Sequence, residues 1–100
     1  MYKSDLHLSP GDWCFIRADS YDEEGSPDMQ THGVAFEEAT HVLFCNPHGN
    51  YHEVPIRGKG RQRNGKTWIL TGDADAPTLH PSIKSSYWHG WFENGEMRDA

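Results

Sequence analysis

The run from Ala76 to Met97 reads APTLHPSIKSSYWHGWFENGEM. Asn94-Gly95 is the favoured pair for a two-residue type I′ hairpin turn, because both positions need positive φ. Upstream of it, Ser82 to Trp91 alternates, which predicts a single strand. That strand puts Tyr87, His89 and Trp91 on one face and Trp88, Gly90 and Phe92 on the other. Gly90 marks a bulge or a close backbone approach. Ala76 to Pro81, with prolines at 77 and 81, reads as an irregular crossing segment.

The same grammar extends through the chain. Residues 1–11 form a lead-in that ends at Pro10-Gly11. Asp12 to Ala18, His41 to Cys45, Tyr51 to Ile56 and Thr67 to Thr71 are aromatic or β-branched runs bounded by turn residues, and each is predicted to be a strand. Pro55 lacks a ladder donor, so its strand belongs at a sheet edge or ends there. Residues 34–39 fit one helical turn or an extended entry. Residues 19–33, acidic and poor in apolar side chains, are predicted to be a mobile loop. No stretch sustains a helical period. The expected fold is one mainly β domain over residues 1–100, with five or six short antiparallel strands and its core in 41–97.

Composition narrows the function. One hundred residues with 35% hydrophobics make a modest core, but twelve aromatic residues give it substance. Net charge is −6, and it is concentrated at the front. Residues 1–40 hold nine acids against Lys3 and Arg17, while the rest is nearly balanced. A uniformly nucleic-acid-binding surface does not fit that distribution. No leader and no membrane-length apolar run is present, so a cytoplasmic protein with reduced Cys14 and Cys45 is expected.

Four constellations carry candidate chemistry. Cys45-x2-His48-x3-His52 has the spacing of a metal knuckle between two strands, and His89, then His80, are the candidates for a fourth ligand. Tyr87, Trp91 and Phe92 offer aromatic surface for a protein partner. Arg57, Lys59, Arg61, Arg63 and Lys66 form a basic loop that can track phosphates, although no aromatic side chain is interleaved to stack on bases. The acidic loop is the fourth, able to present carboxylates as a DNA backbone presents phosphates, although such a run is usually a soluble linker. Enzyme arrangements are poor: a hydroxyl–histidine pair such as Ser82 with His80 or His89 is singled out by nothing in the sequence. Gly-x-Ser-x-Gly, P-loop and His-Glu-x-x-His motifs are all absent.

Read in order, the knuckle residues Cys45, His48 and His52, then Trp68 and Asp73, then Pro77-Thr78-x-x-Pro81-Ser82-Ile83, then His89, Trp91, Gly95 and Met97 resemble a family of small uncharacterised proteins common in tailed-phage and prophage genomes. The resemblance spans residues 41–97. Members often have a second Cys where His48 stands, and a Cys where this chain has Trp88. The first change keeps a ligand and the second removes one. The resemblance implies one structural Zn²⁺ on Cys45, His48, His52 and His89, and it implies no established activity. The function expected at this point is a non-enzymatic module that binds a host or phage protein. The alternatives are a metal-dependent hydrolase with a water on Cys45, His48 and His52, and a nucleic-acid binder acting through the basic loop.

Overall fold

The computed structural model describes residues 7–61 and 65–100; the first six residues of the expected lead-in and Arg63 of the basic loop lie outside them. Among the described residues, eight strands form two four-stranded antiparallel sheets. The first sheet has the order β2-β1-β3-β4, from β1 (Trp13–Tyr21), β2 (Pro27–His32), β3 (His41–Cys45) and β4 (Tyr51–Pro55). The second has the order β5-β6-β7-β8, from β5 (Ile69–Gly72), β6 (Pro77–Lys84), β7 (His89–Glu93) and β8 (Glu96–Asp99). A single 3₁₀ turn, Phe36–Glu38, resolves the ambiguity at 34–39.

The core lies where the two sheets meet. Phe15, Val42, Phe44 and Val54 of the first sheet pack against Leu79, Ile83 and Phe92 of the second, with Trp68 and Trp88 closing the cluster. Pro55 ends an edge strand, as its missing N–H requires. Asn94 and Gly95 both have positive φ, 53° and 75°, and the turn they form joins Glu93 to its partner Glu96. The expected alternation also holds: Trp88, Gly90 and Phe92 face inward, while His89 is exposed. A Cβ at Gly90 would sit 2.3 Å from the Trp88 ring and 2.4 Å from the Arg98 carbonyl, so only glycine lets β7 pass here.

Two expectations need correction. Most of residues 19–33 is paired strand, and only the tip, around Asp22 to Ser26, is turn. Register shifts between Ala18 and Tyr21 bend this hairpin. The bend brings the Gln30 amide to Glu53, 2.9 Å away, and the Tyr21 ring to within 6.1 Å of His41. That covers the outer face of β3, so His41, Leu43 and Cys45 are buried although they point away from the main core. Acidic side chains at alternate positions are compatible with a strand whose other face is covered.

The second correction is that Ser82 to Trp91 is two strands with a turn between them. Ser85 makes the turn: its Oγ accepts the backbone N–H of Tyr87 and of Trp88, and its own N–H reaches the Trp88 carbonyl at 2.7 Å. β6 is also longer than expected and takes in the proline-flanked segment. Leu79 pairs with Phe92, and Ile83 with Gly90, so residues 80–82 of β6 lie opposite Trp91 alone, two more than a regular ladder holds. Pro81, which has no N–H to give the ladder, lies in that bulge, and its bond to His80 is cis.

Candidate functional site

The proposed metal knuckle is not assembled. Among the described residues no group of three or more His, Cys, Asp or Glu side chains is placed to hold a metal ion. Each expected ligand is engaged elsewhere. Asn46 donates from Nδ2 to Nε2 of buried His52 at 2.9 Å. His52 lies between the rings of Phe44 and Tyr87, stacked on both. His48 pairs with Asp99 at 3.0 Å, linking the β3–β4 turn to β8. The Trp88 indole N–H, 2.8 Å from Asp99, together with His48, holds that carboxyl below its ordinary pKa. Cys45 is buried in β3, and burial raises its thiol pKa, away from the thiolate a metal needs. The turn at 46–50 is shaped by Asn46, whose Oδ1 accepts the N–H groups of His48 and Asn50.

The two buried histidines give a pH-dependent stability. Burial holds the pKa of His41 and of His52 below the ordinary 6.5. Both are therefore neutral in the fold and protonate more readily in the unfolded chain. The unfolded state binds more protons, so stability is present at neutral pH and falls as pH drops below about 6.5, until the folded-state values are reached. The limiting slope is about 1.4 kcal/mol per pH unit for each group. Urea denaturation at about pH 7.5 and about pH 5.5 is expected to show a loss of about 2 kcal/mol at the lower value. A flat profile across that interval would contradict the neutral assignment.

The aromatic and basic candidates also find definite places. Phe92 is fully buried and offers no contact surface; Tyr87 is 56% exposed, and its hydroxyl donates to the Tyr51 carbonyl. Trp91 lies on the outer face, with Arg98 stacked over its ring at 4.7 Å. Three of the four described cations of the basic loop are taken up within the protein. Lys59 donates to the Glu37 carbonyl, Arg61 lies over Tyr21 at 4.3 Å, and Lys66 over Trp68 at 5.7 Å.

What the fold does bring together is Ser82 and His89. On a single strand, residues seven apart would be about 23 Å from each other. The turn at Ser85 folds β7 back along β6, and Lys84 pairs with His89. Inward-facing Ile83 and Gly90 leave Ser82, Lys84, His89 and Trp91 on the outer face. Nε2 of His89 then lies 3.3 Å from Oγ of Ser82. Ser82 lies within the bulge between Leu79 and Ile83, the kind of irregularity that re-aims a side chain. His80, the other imidazole beside this serine in sequence, is turned instead to Thr71, 3.3 Å from its hydroxyl. Among the described residues this is the one serine hydroxyl hydrogen-bonded to an imidazole. No described carboxylate bonds the other nitrogen of His89, so the arrangement is a dyad. A serine and a histidine in hydrogen-bond reach form the minimal activated nucleophile: the hydroxyl is unreactive alone, and the imidazole removes its proton as it attacks.

Comparison with known proteins bears on this pair. A family model described as "Bacterial ubiquitination-like system serine protease (BubE)" matches residues 18–100. No curated protein and no solved structure matches the chain. The family match overturns the expectation of a non-enzymatic protein-binding module and that of a metal-dependent hydrolase; it points to a protease that uses serine. The family is that of a bacterial system, and the phage setting suggested by the motif resemblance finds no support in it.

Proposed function

Since the chain belongs to the family of bacterial ubiquitination-like system serine proteases, matched over residues 18–100, we propose that it hydrolyses peptide bonds with Ser82 as nucleophile and His89 as general base. The observation that carries this reading is the 3.3 Å approach of His89 Nε2 to Ser82 Oγ. That distance is slightly long for a hydrogen bond to a hydroxyl, as is usual before substrate tightens the site.

The chemistry follows from the pair. Ser82 Oγ attacks the carbonyl carbon of the scissile bond while Nε2 of His89 takes the hydroxyl proton. The resulting imidazolium gives that proton to the departing amine, leaving the acyl group esterified to Ser82. Water, deprotonated by the same nitrogen, then attacks the ester, and His89 returns the proton to Ser82. His89 is kept in place by its strand: its carbonyl accepts the N–H of Ala100 at 3.0 Å, and the Trp91 ring lies 6.1 Å away. We place the substrate among the proteins of a bacterial ubiquitination-like system, following the family's description, and the site of action in the cytoplasm. No described helix is long and apolar enough to cross a membrane, and Cys14 and Cys45 are not joined by a disulfide.

The test is covalent. An alkyl fluorophosphonate, which reacts with activated serines, is expected to add once to the protein, and peptide mapping should find the adduct on Ser82. Labelling should disappear in Ser82→Ala and fall steeply in His89→Ala. An adduct on another serine, or none, would refute the assignment.

A further inference from the structure

We propose that substrate binds as an added β-strand in the cleft between β4 and the C-terminal half of β6, beside Ser82, whose carbonyl holds the Trp68 wall. This rests on the serine protease reading above and names the substrate class for that same site: an extended, unfolded peptide segment.

The cleft arises from a mismatch in strand length. β5 covers β6 only from Pro77 to His80, where Ile69 is the last partner. One residue earlier the chain has left for the other sheet: Trp68 N–H donates to the Pro55 carbonyl, Arg57 N–H to the Trp68 carbonyl, and Ile56 bridges Trp68. Among the described residues, Ser82 to Lys84 therefore have β7 on one side and no strand on the other. Across the gap is β4, the edge of its own sheet. Residues 51–54 of β4, Ile83 and Lys84 of β6 and Ser85 of the turn after it line a cleft of about 280 Å³, with Trp68 and Tyr87 completing its walls.

Ladder geometry aims the backbone of β6 into this space. Residues along an antiparallel strand send their N–H and C=O groups alternately to either side. Ser85 N–H bonds to the Trp88 carbonyl, so residues 83 and 85 serve β7, while 82 and 84 face the cleft. The Ser82 carbonyl confirms the direction by accepting the Trp68 indole N–H from that side at 3.3 Å. Lys84 N–H and C=O and Ser82 N–H are then available to an incoming strand. A chain paired with them runs past Ser82 Oγ, which stands on the outer face with His89. Unpaired edge groups are the standard template for a peptide added as a strand. Side chains on one face of the added strand would meet Trp68 and Ile83, and folded chain cannot enter between two edges.

Two phosphonate probes test this on the intact protein: a simple alkyl fluorophosphonate, and the same warhead carrying Ala-Ala-Ala on its acyl side. The peptidyl probe is expected to label Ser82 about tenfold faster, the value of one to two net backbone hydrogen bonds. N-methylation of the alanine nitrogens one at a time should abolish the gain at alternate positions only. Lys84→Pro, which removes an N–H that the ladder alternation turns toward the cleft, should remove most of the gain, read as the ratio of the peptidyl probe's rate to the alkyl probe's in the same variant. Equal rates for the two probes, or a gain indifferent to N-methylation, would overturn the cleft assignment with the dyad intact. Failure of both probes to label Ser82 would overturn the serine reading and the cleft with it.

Discussion

Ser82→Ala is expected to lower kcat for peptide hydrolysis by about 10⁴- to 10⁶-fold, the range seen when a serine nucleophile is removed from an activated pair. His89→Ala should cost a comparable factor. The double variant should be little worse than either single one, because nucleophile and base act as a unit and their losses do not add. Turnover of a protein substrate, followed by the release of new amino termini, measures the effect. Folding is not at stake: the hydroxyl and the imidazole are on the outer face of β6 and β7, clear of the core. Surface changes of this kind shift stability by about 0.5 kcal/mol or less. The informative control is His80→Ala. That imidazole is only two residues from Ser82 in sequence, but it is turned to Thr71. It should leave kcat/KM within about threefold, under about 0.7 kcal/mol of transition-state energy. If His80→Ala were as damaging as His89→Ala, the base would have been misassigned.

The strand grammar of the sequence was largely readable, and the site was not, for one physical reason. β3 and the Asn94-Gly95 turn are where the runs and the turn chemistry placed them, because both depend on local pattern. The inward and outward faces of 87–92 are also local, since alternation holds wherever the strand begins. The Ser85 turn is different. It has no Gly, Pro or Asn, and it is made by one hydroxyl capping two N–H groups. Read straight through, 82–91 is a single strand that keeps serine and histidine apart. The turn and the dyad stand or fall together, since only the turn brings His89 back to Ser82. The Ser85-Ser86 pair was the available signal, as serine hydroxyls do close turns.

The histidines misled in the opposite direction. Cys45, His48 and His52 have ligand spacing, but spacing cannot say where a ring nitrogen is spent. Asn46 takes up His52, and Asp99, more than forty residues away in sequence, takes up His48. The acidic run at 19–28 failed as a loop for a related reason. Composition counts charges, while a hairpin needs only alternate positions to be apolar or covered, and the bend after Ala18 supplies the cover.

Phe92→Ala is expected to cost about 3–5 kcal/mol, a large part of the roughly 5–15 kcal/mol that holds a domain together. The Phe92 ring is fully buried, edge-on to Trp13 at 6.1 Å and tilted against Phe44 at 5.2 Å. Its strand neighbours are Leu79 on β6 and Met97 on β8. Removing it empties the joint between the two sheets, where no exposed side chain can fold in to compensate. At this size each kcal/mol is worth about 4–8 °C, so thermal unfolding should fall by about 15 °C or more. Trp91→Ala, one residue along, is the matched comparison. It is on the outer face, and it loses the Arg98 stack and part of its own burial, about 1 kcal/mol. The two variants also separate scaffold from chemistry. Phe92 pairs on the Leu79 side of the bulge and Gly90 on the Ile83 side, so Phe92 helps fix the register that brings His89 to Ser82. Below its lowered melting point the Phe92→Ala protein should still take a fluorophosphonate on Ser82, because the residual hairpin carries the pair. A folded Phe92→Ala protein with a dead Ser82 would mean that the dyad depends on core register to within a fraction of a hydrogen bond, and that the bulge is not enough to aim the serine.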